Sequence, residues 1–160
     1  MRDLAPSHVS VAVREMVRQK SDWSEAQDFY EWAQSSNVDI QHILYSPQEV
    51  RGFVEALDAG RIPGTTHLIQ LVQGTYAHGS EGQVALSDYL TELNRAGGMT
   101  FDWMLCAFGT EETNNLARAA QHGGKARVGF ENSLWNMDGT LAEDNAMRVR
   151  EVKNAIANLQ

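Results

Sequence analysis

The sequence predicts an α/β protein built of five strand–helix units, which together would form a partial (β/α)8 TIM-type barrel with parallel strands. Strand-like and helix-like segments alternate strictly along the 160 residues, and this alternation is typical of a parallel sheet with right-handed crossovers. Each unit takes roughly 30 residues, which is the spacing of a (β/α)8 barrel of about 250 residues. We therefore expect one domain, residues 1–160, that corresponds to five-eighths of such a barrel.

Five short segments have the β-branched and apolar composition of strands. The fourth segment is apolar almost throughout, which suits a strand that is buried on both faces. The fifth segment ends in polar residues, and the carboxyl ends of parallel strands are where barrels and open α/β sheets carry their chemistry. The predicted strands are residues 7–13, 39–45, 66–72, 100–108 and a strand within 123–133.

Each predicted strand is followed by a segment with apolar residues at helical spacing. Ser46 and Pro47 begin the second helix in the favoured order, a cap and then proline in the first turn, and Gly60 ends it. Thr110 is the predicted cap of the fourth helix. The predicted helices are residues 23–36, 47–59, 84–96, 110–122 and 141–159. The inward stripe of the last helix is predicted to be Ala146, Val149, Val152, Ile156 and Leu159.

A complete doubly wound sheet of five strands is the alternative fold for a chain of this length. Such folds commonly carry a glycine-rich phosphate loop after the first strand, and the segment after residue 13 has no such loop. The strand with the most polar, chemically capable end is also the last one and not the first. Both observations favour the barrel.

Composition and charge indicate which kinds of partner the protein can bind and in which compartment we expect it. The net charge of -8 argues against nucleic acid or an anionic membrane as the main partner. No run of about 18 apolar residues is present, and the first six residues contain no apolar signal region, so we expect a cytoplasmic protein. Cys106 is the only cysteine and lies in an apolar run, so we expect a small buried side chain rather than a nucleophile.

The stretch from residue 123 to residue 133 contains the strongest candidate site. If the fifth strand continues through it, Arg127, Gly129 and Glu131 lie on one face, and Gly129 leaves room there for a ligand. An arginine can hold a carboxylate with two parallel hydrogen bonds. The alternative is structural, in which Arg127 and Glu131 pair with each other.

A longer string around this strand resembles a known family. Residues 123–132 read Gly-Gly-Lys-Ala-Arg-Val-Gly-Phe-Glu-Asn, residues 138–142 read Asp-Gly-Thr-Leu-Ala, and Asn-Ala follows at 145–146. This resembles the C-terminal signature of the β-keto acid cleavage enzymes, Gly-Gly-His-Val-Arg-Val-Gly-Leu-Glu-Asp-Asn, a Gly-x-Leu-Ala loop and a Ser-Asn-Ala helix start. The alternation from residue 7 onward suits the fourth to eighth strands of that family's barrel.

The resemblance implies a zinc-dependent enzyme that exchanges a β-keto acid and acetyl-CoA for acetoacetyl-CoA, or a related CoA ester, and a second product. In that family a His-x-His pair and one glutamate bind Zn²⁺, so Glu131 matches a metal ligand. Arg127 matches the arginine near the reacting carboxylate. Zinc accepts such ligands and polarises a keto group as a Lewis acid.

The sequence departs from the family pattern at two points. Asn132 stands where the family has its catalytic aspartate, and an amide cannot act as a general base, which implies either lost activity or a shifted mechanism. No His-x-His pair occurs, and a structural role is favoured for each of the five histidines, His8, His42, His67, His78 and His122.

Two functional hypotheses follow. In the first, the chain is the C-terminal part of a β-keto acid cleavage enzyme, inactive alone, and it associates with a second copy or a partner chain that covers its open sheet edges. In the second, it is a non-enzymatic or degenerate half-barrel that serves in binding or assembly. A third possibility, an unrelated five-stranded α/β protein, predicts a strand order other than a continuous arc.

Overall fold

The computed structural model describes residues 6–75 and 84–159. The described strands and helices alternate in the predicted order, with two additional short helices before the first predicted helix: an α-helix directly after the first strand and a 3-10 helix at Lys20–Asp22. The five strands are β1 (His8–Ala12), β2 (Asp39–Leu44), β3 (Thr66–Gln73), β4 (Thr100–Ala107) and β5 (Lys125–Arg127). The α-helices are α1 (Val13–Met16), α2 (Trp23–Ser35), α3 (Pro47–Asp58), α4 (Leu86–Leu93), α5 (Glu112–Gln121) and α6 (Asn145–Ala157).

The strands form one parallel five-stranded sheet in the order β1-β2-β3-β4-β5. Each strand therefore lies beside its predecessor in the chain, as in an arc of a (β/α)8 barrel. A doubly wound sheet would reverse its strand order at a switch point, and the third possibility also required a strand order other than a continuous arc. The observed order agrees with neither alternative. The predicted fold class is confirmed.

By residue contacts, the described chain divides into two compact units. Residues 6–70 and 87–102 form the first unit, and residues 71–75, 84–86 and 103–159 form the second. The expectation of a single domain stays a prediction. The buried apolar side chains of the first unit include Tyr30, Leu44, Val50, Phe53, Leu57, Ile69 and Tyr89. Those of the second unit include Leu71, Leu105, Cys106, Leu116, Ala119 and Val152.

The start of α3 follows its sequence signal closely. Ser46 has an extended backbone, and its hydroxyl accepts a hydrogen bond of 3.2 Å from the Glu49 N–H, while Pro47 occupies the first turn. Proline costs nothing there, because its missing N–H would have no partner within the helix.

The cap prediction for α5 and the stripe prediction for α6 are wrong in part. The residue that precedes α5 is Glu111, and Thr110 lies one residue further out. Helix α6 begins at Asn145, where the Asp144 carboxylate accepts from the Met147 N–H over 2.6 Å. Val149 and Leu159 of the predicted stripe are 47% and 45% exposed.

Val152 of the predicted stripe is buried as predicted, and Arg148, which was not part of that stripe, is fully buried. The two residues are four apart and share a helix face. In residues 6–75 and 84–159, no helix is both long enough and apolar enough to cross a bilayer.

Candidate functional site

Strand β5 ends at Arg127, opposite Cys106 in the parallel register with β4. The chain then turns, because the Asn132 N–H donates to the Gly129 carbonyl over 2.9 Å and the Ser133 N–H donates to the same carbonyl over 3.2 Å. The prediction that Arg127, Gly129 and Glu131 share one face of a continuous strand is therefore wrong. We call residues 128–144 the β5–α6 loop.

Two backbone features explain why the strand stops early. Strand β4 ends at Ala107, and the Gly109 N–H donates to the Asn132 carbonyl over 3.3 Å, which is a contact between two loops and not part of a parallel ladder. The Phe130 N–H donates to the Asn145 side-chain oxygen over 2.8 Å. A Cβ added at Gly129 would meet only that Asn145 oxygen, at 3.5 Å, an ordinary contact.

The turn nevertheless brings Arg127 and Glu131 together. The Arg127 Nη2 atom donates to the Glu131 carboxylate, and its Nη1 atom lies 3.5 Å from the Cys106 Sγ atom. The Arg127 side chain is 35% exposed and that of Glu131 is 57% exposed. The arginine therefore holds a carboxylate at the carboxyl end of a strand, on the surface of the second unit.

Asn132 is turned inward beneath this pair and is 7% exposed. Its side-chain oxygen accepts from the Cys106 thiol over 3.1 Å, and its Nδ2 atom donates to the Arg127 carbonyl over 3.4 Å. Burial raises the pKa of Cys106 to about 11, although Arg127 opposes this shift. Cys106 is therefore a protonated, buried thiol at neutral pH, which fits the expectation of a packed side chain rather than a nucleophile.

A buried charged cluster beside the β5–α6 loop was missed in the sequence. Arg148 of α6 donates from Nη2 to Glu112 over 2.6 Å and to the Thr113 hydroxyl over 2.9 Å, and it donates from Nη1 to Glu151. The Thr113 hydroxyl donates to Glu151 over 2.7 Å. The Arg148 and Glu112 side chains have no exposed area. Glu112 and Thr113 lie just after a predicted helix start, where exposed polar residues are common, so their burial could not be predicted from the pattern.

The pKa values of the two carboxylates in this cluster are shifted in opposite directions. Burial raises the pKa of Glu112, and Arg148 opposes that rise. Burial also acts to raise the pKa of Glu151, but hydrogen bonds from Thr113, the Met137 N–H and Arg148 outweigh it, so the pKa of Glu151 lies below its ordinary value. Hydrogen bonds to a charged carboxylate favour the charged form.

The described residues do not by themselves fit a zinc site. Within residues 6–75 and 84–159, no three side chains of histidine, cysteine, aspartate or glutamate gather in a way that could hold a metal ion. Glu131 offers one carboxylate, and it already accepts from Arg127. Structural zinc sites use four protein ligands and catalytic sites use three.

The described histidines have other surroundings, and His78 lies outside the described residues. His42 and His67 are buried in the first unit with ring centres 6.0 Å apart, and burial lowers the pKa of His42 to about 3. Exposed His8 lies 3.0 Å from Asp39. His122 is exposed directly after α5.

Comparisons with known proteins agree with the signature in residues 123–147. A family model described as beta-keto acid cleavage enzyme (BKACE) matches residues 1–160. A protein of Paraburkholderia graminis, 3,5-dioxohexanoate:acetyl-CoA acetone transferase, is 33% identical over 66 residues. That alignment covers 41% of this chain and 21% of the relative, so the matched part spans about one fifth of the relative's length. The predicted family resemblance is confirmed.

Proposed function

The chain belongs to the beta-keto acid cleavage enzyme family, and we propose that it supplies the carboxylate-binding part of such an enzyme. The reaction is acyl transfer between a β-keto acid and acetyl-CoA, which gives acetoacetyl-CoA or a related CoA ester. The family match supports this reaction class. The observation that carries the proposal is the Arg127 guanidinium at the end of β5, which already binds a carboxylate.

Arg127 is proposed to hold the carboxylate of the β-keto acid. A guanidinium forms charge-assisted hydrogen bonds with a carboxylate oxygen, and two parallel bonds fix its orientation. In the structure the Glu131 carboxylate occupies this position as an internal anion. Both side chains are partly exposed, so a substrate carboxylate can reach Arg127 from solvent and compete with Glu131.

Asn132 is proposed to orient groups and not to remove a proton. Its amide is used in bonds to the Cys106 thiol and the Arg127 carbonyl, and an amide has no basic site at neutral pH. The bond to the Arg127 carbonyl fixes the backbone that carries the guanidinium. The catalytic proton transfer of the family, on this proposal, falls to a group other than residue 132.

We propose that Zn²⁺ and acetyl-CoA bind only to a larger assembly that contains this chain. We propose Glu131 as one ligand of Zn²⁺, with the other ligands supplied by histidines from outside the described residues. Bound there, the ion would polarise the keto group. Because one carboxylate binds zinc weakly, we expect the isolated chain to have no tight zinc site.

We further propose that the chain acts as the C-terminal part of a (β/α)8 barrel and is inactive alone. Strands β1 and β5 are the outer strands of the described sheet order, and open strand edges favour pairing with further strands. A second copy or another polypeptide is the proposed partner. We propose small-molecule substrates, no nucleic-acid partner and a cytoplasmic location, and the net charge of -8 supports the second of these.

The second candidate is a non-enzymatic half-barrel that serves in binding or assembly. Asn132 in the position of the family's aspartate favours it, as does the lack of a three-residue metal cluster among the described side chains. Isothermal titration of the chain with acetoacetate separates the two candidates.

For the cleavage enzyme we expect saturable binding of acetoacetate that falls about 10- to 100-fold in Arg127→Ala, the range for one lost charged hydrogen bond. Arg118→Ala, which alters an exposed arginine of α5, should bind as the wild type does. Absence of acetoacetate binding by the wild type would reject the enzyme proposal and leave the assembly module.

A further inference from the structure

The cluster of Glu112, Arg148 and Glu151 has a composition that stability alone does not explain. Burying a guanidinium and a carboxylate costs several kcal/mol per ion, and well-packed apolar residues in their place are often equally stable or more stable. Helix α6 nevertheless places Arg148 at a fully buried position, four residues before Val152. Another role for these charges is therefore indicated.

Each carboxylate of the cluster also contacts a backbone N–H group of the β5–α6 loop through the oxygen that faces away from Arg148. The Glu151 Oε1 atom accepts from the Met137 N–H over 2.9 Å, and the Glu112 Oε1 atom lies 3.5 Å from the Gly129 N–H. A hydrogen bond with the Asn132 side chain also opposes the burial-driven rise in the pKa of Glu112. The two backbone contacts bracket the loop segment that carries Glu131 and Asn132.

Arg148 joins these two anchors, because its two terminal nitrogens bind Glu112 and Glu151 separately. The first residue of the same helix adds a third anchor, since the Asn145 side-chain oxygen accepts from the Phe130 N–H over 2.8 Å. The loop is thus tied through side-chain carboxylates and an amide to the framework of α5 and α6.

Apolar packing gives this loop limited additional support. Its apolar side chains Leu134, Trp135, Met137 and Leu141 are 47%, 42%, 54% and 59% exposed, and Val128 and Phe130 are half-buried. Burial of such side chains is what normally fixes a loop on a protein surface. Apart from turn contacts inside the loop, the described anchors are therefore mainly polar.

We infer that Glu112, Arg148 and Glu151 are positioning residues that set the conformation of the β5–α6 loop, and with it the placement of Glu131 and Asn132 beside Arg127. This inference rests on the proposed function, in which Arg127 binds the keto acid carboxylate. Fixing reacting groups in advance lowers the cost of binding and reaction, and a displacement of about 1 Å can cost 100-fold in rate. The cluster supplies that fixation without touching the substrate.

The test uses Glu151→Ala and Glu151→Gln, with amide hydrogen exchange and acetoacetate affinity measured on the same samples. In Glu151→Ala we expect the Met137 and Gly129 amides to exchange at least about tenfold faster and the acetoacetate Kd to rise at least about tenfold. Glutamine keeps an oxygen that can accept from the Met137 N–H, so Glu151→Gln should recover part of both effects. The Ala119 amide in the core of α5 reports global opening.

Glu92→Gln is the matched control. Glu92 also binds arginines, Arg51 at 2.7 Å and Arg95 at 2.8 Å, but it lies in the first unit and makes no described contact with the loop. The control should leave the loop amides and the acetoacetate Kd unchanged. If Glu151→Ala does not fold, Glu151→Gln is judged by the same two measurements.

Two results would overturn the inference while the proposed function stands. The first is that the Gly129 and Met137 amides exchange hydrogen at the wild-type rate in both Glu151 variants. The second is that these amides exchange faster while the acetoacetate Kd stays unchanged. Failure of the wild-type chain to bind acetoacetate would instead overturn the proposed function, and it is visible before any variant is made.

Discussion

The Arg148 guanidinium donates to the Glu112 carboxylate over 2.6 Å, and neither side chain has any exposed area. This pair joins α5 to α6 inside the second unit. The second oxygen of Glu112 points to Gly129 at the start of the β5–α6 loop. Glu112 therefore links the two packed helices to the β5–α6 loop, which carries Glu131 and Asn132 of the candidate site.

Removing Arg148 should destabilise the chain strongly. In Arg148→Met the Glu112 carboxylate stays buried without its cation, and breaking a buried pair in this way costs about 3–5 kcal/mol. Urea unfolding at pH 7 measures the change in the free energy of unfolding. Arg150→Met on the same helix is the control, because Arg150 is 65% exposed and lies 3.8 Å from Asp144; it should change stability by less than about 1 kcal/mol.

The double variant Arg148→Met/Glu112→Gln shows whether the loss comes from the unpaired charge. Neutralising Glu112 should recover a substantial part of the stability lost in Arg148→Met, as a double-mutant cycle would reveal. Equal and additive losses from the two changes would contradict the assignment of Arg148 and Glu112 as a coupled pair.

An aspartate at position 132 should destabilise the fold in a pH-dependent way. Asn132→Asp places a second carboxylate next to buried Glu112, and burial together with like charge raises the pKa of the new carboxyl in the folded state. A carboxyl with a raised folded pKa costs stability once the pH passes its unfolded value of about 3.9. The loss should therefore be larger at pH 8 than at pH 5.

Thermal unfolding of Asn132→Asp at both pH values checks this expectation. Asn154→Asp on the exposed side of α6 is the matched control, and it should show little loss at either pH. A variant as stable as the wild type at pH 8 would mean that position 132 accepts the family's aspartate without cost.

A methyl group at Gly124 should be poorly tolerated. A Cβ built there lies 2.3 Å from the Trp103 ring, inside van der Waals contact. We expect Gly124→Ala to lower the free energy of unfolding by about 1–3 kcal/mol, which is typical of overpacking. Gly97→Ala meets nothing within 4 Å and should be neutral or slightly stabilising in the same urea experiment. Equal stabilities of the two variants would reject the close packing of Gly124 on Trp103.

Buried His42 should make the chain sensitive to acid. Burial lowers the pKa of His42 to about 3, whereas an unfolded histidine takes up a proton near pH 6.5. Between these values the unfolded state binds more protons, so stability rises with pH and is lost as the pH falls from 6.5 toward 3, with a slope of up to about 1.4 kcal/mol per pH unit.

Urea unfolding of His42→Gln between pH 4 and pH 7 tests this linkage. We expect a shallower pH dependence than in the wild type, whereas His122→Gln, which alters an exposed histidine after α5, should keep the wild-type slope. The pKa of His67 is also lowered by burial, so some slope should remain in His42→Gln. An unchanged slope would contradict the neutral state of buried His42.

The order of elements could be predicted because each one carries local signals. Alternating apolar segments located the strands, and the Ser46–Pro47 pair marked the start of α3. The parallel arc followed from the strict alternation and the chain length of each unit. The family resemblance needed only a contiguous string, since residues 123–132 carry it in one stretch.

The site geometry could not be predicted, because long-range contacts decide it. Val128 and Phe130 extend an apolar pattern beyond Arg127, but β4 stops at Ala107 and the chain turns. Apolar periodicity assigns an arginine such as Arg148 to the solvent-facing side of a helix. Its partner Glu112 lies 36 positions away in the sequence. A buried ion pair of this kind leaves no periodic signal in one sequence.

The most direct test of the central claim follows the Arg127 side chain by ¹⁵N NMR while acetoacetate is added. Arg127→Lys assigns the Nε–H resonance, and Arg118 serves as the internal reference. Substrate binding at Arg127 predicts a saturable shift of the Arg127 resonance with no shift at Arg118, and the lysine variant should bind more weakly because it cannot form the two-bond contact. An Arg127 resonance that stays unchanged, or that moves in parallel with Arg118, would contradict the claim that Arg127 binds the keto acid carboxylate.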